Sequence, residues 1–319
     1  MRWIVALACA AALPAAVPVP AVPVPGSGSG AAGVFTFAFE DTQGAADIAI
    51  ANVLINNALD GRIACYVAYV AASNTLFLVN NAGEAGGPFA GSLLFTGAGS
   101  VSNGQCTVNG AGSSVTASGT TLTLVLNISF APGFAGRRLV YLGARDQAAS
   151  NSGWHAKGVW EVPGGTPAGN GTAVVSLSPA RADTQTVVFT GVFSDTAGFA
   201  DLGVINILIN DFVDGLHACY FALVPATGQL YLVNNAGDAA GPYAGVINLV
   251  SGPWGLAVNS QCSIATVGSS VTGSGNAVTA VVNMHFHFPF NGDKIVWAAA
   301  RDQSGNNTGW QPMATISIP

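Results

Sequence analysis

Few residues in this chain can do chemistry, and most of those occur twice. Asp41, Asp47 and Asp60 return at Asp195, Asp201 and Asp214, Asn52 and Asn56 return at Asn206 and Asn210, and Asp146 returns at Asp302. Loop carboxylates and amides are the oxygen ligands that Ca2+ prefers. Asp41 with Asp47, and Asp195 with Asp201, are therefore candidate ligands for one Ca2+ per copy. Their spacing matches no EF-hand loop. The competing reading is that these side chains cap turns by bonding nearby backbone. Arg145 and Asp146, with Arg301 and Asp302, can likewise pair or anchor one end of a domain.

Two further sets are candidates for ligand binding. Trp154 and Trp310 each follow a glycine. Exposed, such indoles would stack on a sugar face; buried, they would pack a core. Asn80 and Asn81, with Asn234 and Asn235, can hydrogen-bond a glycan, although Asn-Ala-Gly at a strand end is first of all a turn. Paired carboxylates also suit a glycosidase, but the chain has neither a Gly-x-Ser-x-Gly elbow nor a His-Glu-x-x-His pair. The four histidines, His155, His217, His285 and His287, face Gln311, Ile63, Ser129 and Ala131 at the corresponding positions. Chemistry common to both copies thus cannot use histidine. On a strand His285 and His287 share one face and offer half a copper or zinc site; two exposed strand residues is the simpler reading. GSGAAG at 28–33 matches a dinucleotide pattern but follows no strand, so it lacks the required context.

The elements that must position these residues are set by an internal repeat. ACYVAYV (64–70) returns as ACYFALV (218–224), and LFLVNNAG (76–83) returns as LYLVNNAG (230–237). NGQCTV (103–108), GSSVT (112–116) and ARDQ (144–147) return at 259–264, 268–272 and 300–303, after a two-residue insertion between Gly245 and Asn259. Copies at 34–162 and 187–319 are too long for solenoid units, which run about 20–50 residues. They read as two tandem domains, separated by a linker at 163–186. Phe35, Phe37 and Phe39 alternate, as do Leu122, Leu124, Leu126 and Ile128, matched by Val278, Ala280, Val282 and Met284. Period-two alternation marks half-buried strands. No window carries a sustained helical period. Short strands broken by Asp-Gly and Asn-Gly turns predict an all-β fold of two sandwiches, with short helical turns at 56–61 and 210–215.

Arg2 followed by the apolar run Trp3–Leu13 and small residues reads as a secretory signal peptide, residues 1–21, with cleavage after Ala16 or Ala21. The run is too short to span a bilayer, and no later segment qualifies as a transmembrane helix. A Pro/Gly/Ser-rich linker is expected at 22–33. Of five cysteines, Cys9 leaves with the signal. Secretion and the repeat favour one bridge per copy, Cys65–Cys106 and Cys219–Cys262, among the three pairings that four cysteines allow. Charged residues are only 8% of the chain and the formal net charge is −6. Nucleic acid as a partner is excluded on that ground, because neutralising phosphates needs clustered Lys and Arg.

D-x-x-G-x-x-D, N-x-L-I-N, A-C-Y, L-x-L-V-N-N-A-G, N-x-Q-C, G-S-S and A-R-D-Q followed by G-W recur in both copies. This string resembles the immunoglobulin-like repeats of large extracellular acidobacterial proteins. The resemblance implies an extracellular immunoglobulin-like β-sandwich and brings no catalytic residues. The expected function is a secreted or cell-surface, non-enzymatic adhesion or scaffolding protein that meets an extracellular glycan or protein. A carbohydrate-binding module is the second reading and a glycoside hydrolase the third.

Overall fold

A computed structural model describes residues 17–165, 171–251 and 254–319. The fold is all β: two tandem sandwiches, each of a five-stranded and a seven-stranded sheet. In the first, the smaller sheet runs, in spatial order, β1 (Val19–Pro20), β3 (Ala32–Glu40), β10 (Thr121–Phe130), β9 (Cys106–Ser118) and β8 (Ser100–Ser102). The larger runs β2 (Ser27–Ser29), β12 (His155–Val162), β11 (Gly136–Asp146), β4 (Ile48–Asn56), β5 (Cys65–Val70), β6 (Thr75–Val79) and β7 (Phe89–Leu94). The second sandwich repeats this order. Its smaller sheet is β13 (Thr172–Ser178), β15 (Thr186–Asp195), β22 (Ala277–Phe286), β21 (Cys262–Ser274) and β20 (Leu256–Val258). Its larger sheet is β14 (Arg181–Asp183), β24 (Gln311–Ile318), β23 (Gly292–Asp302), β16 (Leu202–Asn210), β17 (Cys219–Val224), β18 (Gln229–Val233) and β19 (Tyr243–Asn248).

The alternating residues face inward as their period requires. Phe35, Phe37 and Phe39 are fully buried, and so are Leu124, Leu126 and Ile128 on the neighbouring strand β10. Cys65 on β5 bonds Cys106 on β9, and Cys219 on β17 bonds Cys262 on β21, so each disulfide ties one sheet to the other.

Five segments differ from the sequence expectation. The segments 22–33 and 163–186, expected as linkers, carry β2 and β13–β14. Gly and Ser dominate at 26–30 because Trp160 lies over this segment: a Cβ on Gly28 would sit 2.6 Å from the indole ring. The Trp160 Nε1–H then donates to the Gly30 carbonyl at 2.9 Å. The expected leader, residues 1–21, lies outside the described residues up to position 16, but Val19–Pro20 form β1 against β3. Cleavage after Ala16 leaves that strand intact, whereas cleavage after Ala21 removes it. Finally, 56–61 and 210–215 are bends without helix. Asn56 Nδ2 donates to the Asp60 and Arg62 carbonyls, and Asn210 does the same to Asp214 and Leu216. Such local side-chain bonds compete with helical ones.

The central strands β4 and β11 do not alternate. Leu139 to Leu142 are all buried, as strands covered on both faces require. Their second face meets the other sandwich. Leu54, Tyr66, Leu139 and Tyr141 join the corresponding Leu208, Tyr220, Ile295 and Trp297 in one apolar cluster, with β12 lying against β24. Asp293 on β23 reaches across this junction to Lys157 Nζ at 2.9 Å and His155 Nδ1 at 2.7 Å. At the position of Asp293 the first sandwich has Arg137, which reaches Met313 Sδ and the Val175 carbonyl.

Candidate functional site

One end of each sandwich gathers three carboxylates. Asp41 follows β3, Asp47 closes a 3-10 turn at Ala45–Asp47, and Asp146 ends β11 opposite Ile48 of β4. Gly44 makes the connection at φ 117°, a backbone region that side-chain-bearing residues avoid. One oxygen of each carboxylate lies within 4.8 Å of the others, and Asp195, Asp201 and Asp302 form the same arrangement. The sequence reading found the first two acids of each set. It missed Asp146 and Asp302 as third members, although their recurrence within ARDQ was the available signal.

The turn-cap reading holds for one oxygen of Asp41 and one of Asp146. Asp41 Oδ1 accepts the Gln43 N–H at 2.8 Å, and Asp146 Oδ1 accepts the Ser150 N–H at 2.7 Å. These oxygens cap turns. The Oδ2 atoms of Asp41 and Asp146 are buried without a hydrogen-bond partner. Arg145 and Arg301 form no ion pair with the neighbouring acids among the described residues. Partial burial and then the charges of Asp41 and Asp146 push the Asp47 carboxyl above its ordinary range. Three carboxylates supply hard oxygen donors, which suit Ca2+ rather than the softer metals that seek imidazole or thiolate.

A groove of about 450 Å³ crosses the outer face of the larger sheet of the first sandwich. Tyr66, Phe77, Phe89 and Trp154 line it together with Asn52, Arg145 and Asn151. Trp154 is 37% exposed and packs edge-on against Tyr66 at 5.6 Å. The Tyr66 hydroxyl donates to Asn52 Oδ1 at 3.3 Å. Aromatic faces beside amides and a guanidinium can stack on and hydrogen-bond a planar or sugar-like ligand. Trp310 repeats the edge-on contact with Tyr220 at 5.7 Å, but packs against the apolar junction between the sandwiches.

The other sequence candidates do not join either site. Asn80 Nδ2 donates to Glu84 and the Pro88 carbonyl, and Asn81 Oδ1 accepts the Gly104 N–H. Asn234 and Asn235 hold the equivalent turn through the Pro242 carbonyl and Ser260. The groove takes its amides from Asn52 and Asn151 instead. His285 and His287 lie 5.7 Å apart between ring centroids. His285 Nδ1 meets Thr186 Oγ1 and His287 Nε2 meets Ser263 Oγ. Among the described residues they belong to no cluster of three metal-ligating groups. No protein-family model matches the chain, and no curated protein matches it in sequence.

Proposed function

We propose that the chain is an extracellular, non-catalytic adhesion or scaffolding protein whose two sandwiches act as one body. The observation that supports this most directly is the apolar junction built from corresponding residues of both copies and closed by the Asp293–Lys157 pair. A junction of this kind fixes the spacing of two similar surfaces, which is what a scaffold requires. The likeness to extracellular acidobacterial repeats supports the same reading. Purified chain is expected to give no turnover in a screen of polysaccharide and ester substrates. Reproducible turnover that is lost in the Asp146→Asn variant would overturn the reading in favour of a hydrolase.

The groove supports a second reading, carbohydrate binding through Trp154. A glycan array probed with wild type and Trp154→Ala separates the two. Binding lost on removal of the indole favours a carbohydrate-binding module; an empty array favours scaffolding through protein contacts.

A further inference from the structure

We propose that the chain binds one Ca2+, held by Asp41, Asp47 and Asp146 of the first sandwich, and that the second sandwich has replaced the ion by hydrogen bonds. This goes beyond the scaffold reading and does not depend on it. Asp41 and Asp146 are 1% and 2% exposed, and the Oδ2 atom of each is buried without a hydrogen-bond partner. Both belong to the group of carboxylates whose oxygens converge within 4.8 Å, with no cation among the described side chains to offset them. Burying an anionic oxygen without a partner is costly, and like charges at this distance add to the cost. A divalent cation removes both costs together.

The second sandwich is a built-in control. Its acids occupy the same positions, yet the Oδ2 atoms of Asp195 and Asp302 are satisfied. The Thr172 hydroxyl donates to Asp195 Oδ2 at 2.5 Å, and Asn306 Nδ2 donates to Asp302 Oδ2 at 2.6 Å. Neither donor has a counterpart in the first sandwich. Thr172 pairs with Asp195 in the strand register, and the register Val19 with Glu40 places Pro18 at that position. Proline has no side-chain donor. Ser150 stands where Asn306 does, and gives Asp146 only its backbone N–H. Two independent substitutions thus remove both donors from the same two oxygens. The donor set is all oxygen, which leaves Ca2+ or Mg2+. Ca2+ accepts six to eight ligands in irregular geometry, while Mg2+ demands a near-ideal octahedron at about 2.0–2.1 Å. Three carboxylates fixed by turn and strand ends suit the more tolerant ion.

Calorimetric titration of the full, chelator-treated chain with CaCl2 at constant ionic strength tests this. The expected result is one ion per chain, with weaker binding of Mg2+. Asp146→Asn and Ser150→Asn should each weaken Ca2+ binding at least about tenfold. Ser150→Asn keeps all three acids, so it serves if Asp146→Asn fails to fold. In chelator both variants should melt above wild type, because an amide now meets the orphaned oxygen. The double variant Thr172→Ala, Asn306→Ser should gain a second ion. Two ions in wild type, none at millimolar calcium, Mg2+ bound as tightly as Ca2+, or affinity unchanged by Ser150→Asn would each overturn the proposal.

Discussion

Asp293 shows how a single residue distinguishes two domains of the same fold. Its position in the first copy is Arg137, and the position of its partner Lys157 is Met313 in the second. The two copies therefore meet as complementary halves. Burial alone would raise the Asp293 carboxyl, but hydrogen bonds from His155, Ser317 and Lys157 outweigh it and hold the group below its usual range. His155 is shifted upward chiefly by its bond to Asp293. The pH dependence follows from these directions. The histidine contribution is complete below its unfolded value of about 6.5 and is lost as pH rises through its higher folded value. The aspartate contribution is complete above about 3.9 and is lost as pH falls through its lower folded value. Together they stabilise the junction most between about pH 4 and 6.5. The melting temperature should therefore be higher at pH 5.5 than at pH 8. His155→Gln, which installs the residue of the second copy, should shrink that difference; an undiminished difference would place the titration elsewhere. At this scale the sequence was partly legible. Asp41 and Asp47 declared themselves through one short motif, but Asp146 joins them only because β11 pairs with β4. Asp293 carried no signal, since its ion-pair partners Lys157 and His155 lie in the other domain.

Strands were more legible than single contacts. Alternation located β3, β10 and β22, because one face of each meets a core and the other meets solvent. It was silent on β4 and β11, whose runs N-V-L-I-N and L-V-Y-L are apolar on both faces because the second sandwich covers the outer one. The Gly-Ser stretch misled for a related reason: its small residues make room for Trp160 instead of conferring slack. The disulfides followed from the repeat. Each closes a separation of 41 or 43 residues and joins β5 to β9 or β17 to β21. Chain-entropy arguments give such a cross-link about 3–4 kcal/mol. Replacing Cys65 and Cys106 together by Ala should lower stability by about that amount in denaturant unfolding. A loss below about 1 kcal/mol would mean that the loop is already ordered in the unfolded chain.

At the scale of the molecule, the apolar junction couples the two sandwiches. Trp297 is buried, yet it belongs to the shared cluster and not to the core of its own domain. Wild type should melt in one calorimetric transition. Trp297→Asp should split that transition in two while each core survives, because the substitution strikes the junction alone. Two transitions in wild type would show that the sandwiches unfold independently and that the junction adds little.

The short strands β2 and β14 bear on how such a body responds to load. Each lies parallel to the last strand of its own sandwich, Ser27–Ser29 beside β12 and Arg181–Asp183 beside β24. When the two ends of a domain are pulled apart, neighbouring parallel strands slide past each other. Their evenly spaced hydrogen bonds then share the force and must break together, instead of parting one by one as in an unzipped hairpin. Once β1 and β13, which precede them in the chain, have parted from the smaller sheets, these segments of three residues would resist such a pull in shear.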